Sequence, residues 1–311
     1  MEHKLIISSS PHIHRSRTTT TIMLDVIIAL LPAGIMGCIW FGMRAAAVIL
    51  ISVLAAVLSE FIYNKYAKRP QTIADLSAVV TGMLLAYNLP VTVPLWMPAV
   101  GSAIAILLVK MIFGGIGCNF VNPALAARAI LMTSWVDHMS GGAFLTEITG
   151  VDAVSSATPL AQEFSAWQLL TGQAPGCIGE VSRIAIIAGG LYLLVRRVIT
   201  WHIPVTMLAA VFFMSLITTG RLWGGTDAAA YQLISGGLML GAWFMATDYT
   251  TSPASVAGKL IFGLGCGIIA FCIRRFSAMA EGVSYAILFM NLFVPLIDRY
   301  VRPGRRGRKD V

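Results

Sequence analysis

The sequence predicts an all-α polytopic membrane protein of about ten transmembrane helices, arranged as a five-plus-five inverted repeat with broken helices. Three observations lead there. Hydrophobic residues make up 57% of the 311, with a mean hydropathy of +0.80. Only 12% are charged, against roughly 25% in soluble domains, too little to clothe a water-soluble body of this size. The apolar residues also fall into runs of spanning length. Ten helices of about 20 residues use roughly 200 residues and leave about 110 for loops and tails.

Residues 1–21 are polar, carry Arg15 and Arg17 and a run of four threonines from Thr18, and contain no cleavable signal pattern. They form a cytoplasmic N-terminal segment. The first half covers 22–139, with apolar runs at 22–41, 45–62, 73–89, 95–112 and 124–139; the last is weakened by Arg128 and Asp137. Residues 140–182 form the longest loop. The second half covers 183–298, with runs at 184–195, 205–219, 233–246, 260–273 and 283–297, and 299–311 is a basic cytoplasmic tail. Five spans before the loop and five after it force the second half into the membrane upside down. Thr81-Gly-Met-Leu-Leu-Ala86 also resembles Gly236-Gly-Leu-Met-Leu-Gly241, and each leads into a proline-containing break.

Orientation follows the cations. With both termini inside, Lys65, Lys68, Arg69, Lys110, Arg196, Arg197 and Lys259 fall on the inner side, and the 140–182 loop, free of Lys and Arg, falls outside. Arg274 and Arg275 are exceptions to this pattern. The net charge of +8 sits beside apolar runs and in the tail, which points to lipid and topology and away from nucleic acid.

The five cysteines form no C-x-x-C pair, and no histidine pair has metal spacing on one helix face. Broken backbone at membrane depth is tolerated only where protein or a cavity satisfies it. Two segments look broken: Gly114-Gly-Ile-Gly-Cys-Asn-Phe-Val-Asn-Pro123 and Ala246-Thr-Asp-Tyr-Thr-Thr-Ser-Pro253. Their Asn119, Asn122 and Asp248 are candidates for lining a cofactor or ion site; ordinary inner loops would read the same way. Among the acids, Asp25 stands in an apolar run and is a candidate partner for Arg128, whereas Glu60, Asp248 and Asp298 read as interfacial.

The stretch Asp152-Ala-Val-Ser-Ser-Ala-Thr-Pro-Leu160 holds a hydroxyl on uncluttered chain. Pro159 biases Thr158 to an extended backbone, and Ser155, Ser156 and Ala157 keep bulk away. From the residues alone this is an accessible threonine in a small-residue loop.

Ser9-Ser-Pro11 with its basic run, Gly114-Gly-Ile-Gly117 with Asn122-Pro-Ala124, Trp201-His-Ile-Pro204, Ala246-Thr-Asp248, Gly258-Lys-Leu-Ile-Phe-Gly263, Glu281-Gly-Val-Ser-Tyr-Ala286 and Pro295-Leu-Ile-Asp298 carry a resemblance over nearly the whole chain. Together they resemble the RnfD family, which supplies a membrane component of the Rnf ion-translocating oxidoreductase complex. They are similar, more distantly, to the NqrB component of the sodium-pumping NADH:quinone oxidoreductase. The 152–160 stretch is similar to that family's flavin-attachment motif. The resemblance implies FMN held as a phosphoester on Thr158 and installed from FAD by a flavin transferase. Asp152, Ser155, Ser156 and Ala157 complete the motif. A second, non-covalent flavin such as riboflavin nearer the inner face is also implied.

The expectation is therefore a flavin-bearing subunit, in the inner membrane of a cell, of an ion-translocating ferredoxin:NAD oxidoreductase complex. It would work beside other membrane, flavin and iron–sulfur subunits and couple electron transfer to sodium or proton transport. It is catalytically incomplete alone, because the chain has no nicotinamide fingerprint and no iron–sulfur ligand set. The rival is a secondary transporter or channel of the inverted-repeat type without redox chemistry, which has the same outline; a scaffold without cofactor is the third reading.

Overall fold

A computed structural model describes residues 18–139, 164–172, 176–277 and 282–301, and every element among them is a helix. The first half holds α1 (Thr19–Tyr66), α2 (Ser77–Tyr87), α3 (Trp96–Ile104), α4 (Pro123–Ser134) and the short α5 (Val136–Met139). The short α6 (Ala166–Thr171) leads to α7 (Arg183–Val195), α8 (His202–Thr219), α9 (Ala229–Ile234), α10 (Leu238–Leu240), α11 (Val256–Phe276) and α12 (Val283–Tyr300). Four of these are long and apolar enough to cross a membrane: α1, α8, α11 and α12. Shorter apolar helices lie at Ser77–Tyr87, Trp96–Met111 and Arg183–Val195.

At 48 residues, α1 would measure about 70 Å if straight, more than twice the hydrocarbon thickness. It reverses at Gly42, whose φ of 67° and ψ of −159° are not helical. Contacts at the two ends of α1 prove the reversal, because both reach the same short segment. Thr20 Oγ1 donates to the Ala74 carbonyl (3.2 Å), and Glu60 accepts from the Thr72 hydroxyl. The two arms match the first two apolar runs of the sequence. At the Gly42 end, Arg44 donates to the carbonyls of Val91, Thr92 and Val93, satisfying the break that follows α2.

The outward faces are apolar. Leu50, Leu54 and Leu58, one turn apart on α1, are each more than half exposed. A soluble protein rarely leaves such a stripe in water; lipid is its natural solvent. The interior is one apolar cluster running through both halves of the chain. Close approach makes it: a Cβ on Gly189 of α7 would collide with the Ala29 carbonyl of α1.

Two expectations about charges are corrected. Asp25 does not meet Arg128. It accepts from Arg196 (3.1 Å) and from the Tyr192 hydroxyl (3.0 Å). Arg128 is buried on α4 and donates to Asn88 Oδ1 and Ser284 Oγ, both at 2.8 Å. Glu60 is not interfacial: it is fully buried and paired with Lys110 at 2.9 Å. Fifty residues separate those two, and nothing local in the sequence announces the contact. Arg274 and Arg275, the exceptions to the cation pattern, have structural duties. Arg274 donates to the carbonyls of Gln232 and Ser235, and Arg275 pairs with Asp227.

Candidate functional site

Each of the two segments expected to be broken is preceded by a stretch of π-helix, Ala105–Met111 continuing α3 and Gly241–Met245 continuing α10. Such widened turns recur at functional sites because they release carbonyls and re-aim side chains. The chain then leaves the helix, and the two segments meet. Asn122 caps α4, its Oδ1 accepting from the backbone N–H of Ala124 (3.0 Å) and Leu125 (3.3 Å), with Pro123 at the first helical position. Its Nδ2 crosses to the other segment and donates to the Met245 carbonyl (3.3 Å). Asn291 of α12 completes the junction. With its amide oriented to satisfy both sides, it donates to the Thr251 carbonyl (3.1 Å) and accepts from the Asn122 N–H (3.1 Å).

Beside the junction lies a pocket, part of it open to the surface. All three candidates named from the sequence for this region, Asn119, Asn122 and Asp248, line it. Asp248 is held by its own segment, accepting from the Thr250 and Thr251 hydroxyls at 3.0 and 3.3 Å. Asn119 is buried, and its Oδ1 has no hydrogen-bond partner among the described residues. A buried acceptor left without a donor costs about 1–3 kcal/mol, and this one belongs to a residue of the pocket lining. The opposite walls are apolar, with Val26, Leu84, Leu193 and Phe244.

Ser77, Thr81 and Lys110 also line the pocket, and sequence reasoning passed over all three. One signal was available for Lys110. A lone cation in the otherwise apolar 105–112 run is costly at membrane depth unless partnered, and the partner is Glu60. The remaining candidates, Asp152, Ser155, Ser156, Ala157 and Thr158, lie outside the described residues.

The all-helical architecture of the described residues, with lipid-suited faces, a buried ion pair and a pocket at the meeting of two broken segments, defines a multi-pass membrane protein. Comparison with known proteins gives its kin. The model of the NQR2, RnfD, RnfE family matches residues 6–307, and the chain belongs to that family. Among its relatives is the D component of the Na(+)-translocating ferredoxin:NAD(+) oxidoreductase complex of Acetobacterium woodii, 45% identical over 97% of this chain and 95% of that protein. The D component of the proton-translocating ferredoxin:NAD(+) oxidoreductase complex of Clostridium ljungdahlii is 40% identical over 97% and 96%. The D component of an ion-translocating oxidoreductase complex of Escherichia coli is 34% identical over 97% and 98%.

Proposed function

We propose that this chain is the flavin-bearing membrane subunit of an ion-translocating ferredoxin:NAD oxidoreductase complex, with FMN esterified through its phosphate to Thr158. The single observation that carries the assignment is near full-length similarity to the D components of complexes so named, at up to 45% identity. The attachment motif 152–158 carries the cofactor. A flavin transferase installs the FMN, and membrane, flavin and iron–sulfur subunits of the complex complete the electron path. The ion moved is sodium or a proton.

The topology of this reading is ten spans in a cell membrane, five on each side of an extracytoplasmic 140–182 loop, with both termini inside. Several features support the inverted repeat. The first arm of α1 begins at the Thr20 end of the bundle, and α7 begins at the opposite end, where Arg183 is locked to the carbonyls of Ile234, Leu169 and Val181. Helix α2 starts after the left-handed Leu76 (φ 63°), and α10 starts after the left-handed Gly236 (φ 61°). This pairs Leu76 with Gly236, a register five residues away from the one the sequence match suggests. A left-handed turn is cheap for glycine and strained for leucine.

The pocket suits a second, non-covalent isoalloxazine such as that of riboflavin. Its apolar walls and the unpartnered Asn119 Oδ1 suit a flat ring with one polar edge. Such a ring supplies one- and two-electron chemistry when bound; the protein positions it, shields it and sets its potential. In this reading Asn119 Oδ1 accepts a ring N–H, and Lys110 Nζ, with two of its N–H groups spent on Glu60 and Ser77, offers the third to a ring nitrogen.

Denaturing electrophoresis tests the attachment. The band of the native-host protein should fluoresce yellow-green, and T158A should be dark while still inserting into the membrane. A dark wild-type band would favour a transporter without redox chemistry. Acid precipitation, which frees only non-covalent flavin, tests the pocket when wild type is compared with N119A: the variant complex should release one flavin fewer.

A further inference from the structure

We propose that Lys110 is the proton donor of the pocket, recharged from the aqueous face through Glu60 and Thr72; this rests on the reading of the pocket as an isoalloxazine site. An ammonium carries three N–H donors. Lys110 Nζ gives one to Glu60 Oε2 (2.9 Å) and one to Ser77 Oγ (2.6 Å). The third is left for the pocket that Lys110 lines. Lys110 is 2% exposed and Glu60 is 0% exposed. Behind the pair the chain of hydrogen bonds continues outward. The Thr72 hydroxyl donates to Glu60 Oε1 and accepts from Asn64 Nδ2 (3.0 Å). Thr72 is partly exposed and sits beside residues 65–71, all exposed. Water thus reaches one end of the chain and the pocket lies at the other.

A structural ion pair has no need of this layout. Buried pairs are weak stabilisers, because desolvation offsets their attraction. A lysine also differs from an arginine in being able to release its proton when buried. The charged groups facing Lys110 are Glu60 from α1, Asp75 through Ser77 Oγ, and Asp248 across the pocket. All are acids.

The proton steps balance. The one-electron carriers of the complex, fed by ferredoxin, place an electron on the ring. Lys110 Nζ then gives its third proton to a ring nitrogen and becomes a neutral amine beside the Glu60 carboxylate. A proton from water passes by way of the Thr72 hydroxyl to Glu60 Oε1; the neutral carboxyl group then rotates about its Cγ–Cδ bond and hands that same proton to Lys110 Nζ. The pair returns to ammonium and carboxylate. One electron and one proton have entered the pocket, and one proton has left the aqueous phase.

The test uses the purified complex. Flavin released by acid is counted, and proton uptake from the medium after a pulse of reduced ferredoxin is followed with a pH-sensitive dye. K110R keeps the charge and the Glu60 pair, but its guanidinium holds its proton. It should retain the non-covalent flavin and slow proton uptake about a hundredfold, the scale of a lost general acid. K110A should be slow too, and added methylamine should restore it, a rescue that a purely structural lysine does not permit. Uptake by K110R at the wild-type rate overturns the proposal. If K110R loses its flavin, K110A decides, and no response to methylamine overturns the proposal equally. An N119A complex that releases as much flavin to acid as wild type refutes the pocket reading instead, a result distinct from either.

Discussion

Lys110 and Arg274 hold comparable posts. Each lies near the C-terminal end of an apolar stretch, Trp96–Met111 or Val256–Phe276, and each meets a break marked by a left-handed residue, Lys110 at the helix start after Leu76 and Arg274 at the helix end before Gly236. At Gly236 the freed groups are carbonyls. Arg274 meets them with a planar fork, Nη1 to Gln232 O (2.8 Å) and Nη2 to Ser235 O (3.1 Å). At Leu76 the acceptors are a hydroxyl and a fully buried carboxylate, and the cation is a lysine. One end of the bundle thus has a permanent charge serving backbone, and the other a releasable proton serving a side chain. Of the two cations, Lys110 alone lines the large pocket. The difference shows that closing a helix break does not by itself call for a lysine.

The largest way to break this contrast is K110M. It strands Glu60 as an uncompensated buried charge, which should cost about 3–5 kcal/mol. The thermal unfolding midpoint in detergent should fall well below wild type, and E60Q/K110M should recover most of the loss. A double variant no better than the single one would mean that Glu60 is satisfied by other groups. Next is R274A, which leaves the Gln232 and Ser235 carbonyls without donors and should cost roughly 2 kcal/mol. R274K should fall between, since a point charge cannot span both carbonyls. A midpoint for R274K equal to wild type would erase the distinction between the two posts. The smallest effect is expected for R196Q. Arg196 is 49% exposed and Asp25 only 7%, but Asp25 keeps the Tyr192 hydroxyl as a donor, so the unfolding midpoint should fall by less than in R274A.

Much of the fold was legible because lipid enforces long apolar runs. The expected runs at 184–195, 205–219 and 283–297 fall within α7, α8 and α12. The breaks were legible too, since Gly-rich and Asn-Pro segments cannot continue a helix, and Asn119, Asn122 and Asp248 do converge. Pairings were not legible. Glu60 with Lys110, and Arg128 with Asn88 and Ser284, join residues 40 to 156 positions apart. Hydropathy and charge spacing carry no information at that range, and so Asp25 was matched to the wrong arginine. The fine break at Ser235–Gly237 also escaped notice, because its residues are small and sit inside an apolar run.

Asn291 has a consequence for motion. One carboxamide on α12 grips Thr251 of one broken segment and Asn122 of the other, while Asn122 grips Met245 in return. Two loops tied by the same short clasp are yoked: neither can swing without pulling its neighbour or tearing the knot. Whatever event at the pocket displaces one of them is therefore felt by both, and through α12 it is passed along the length of the bundle.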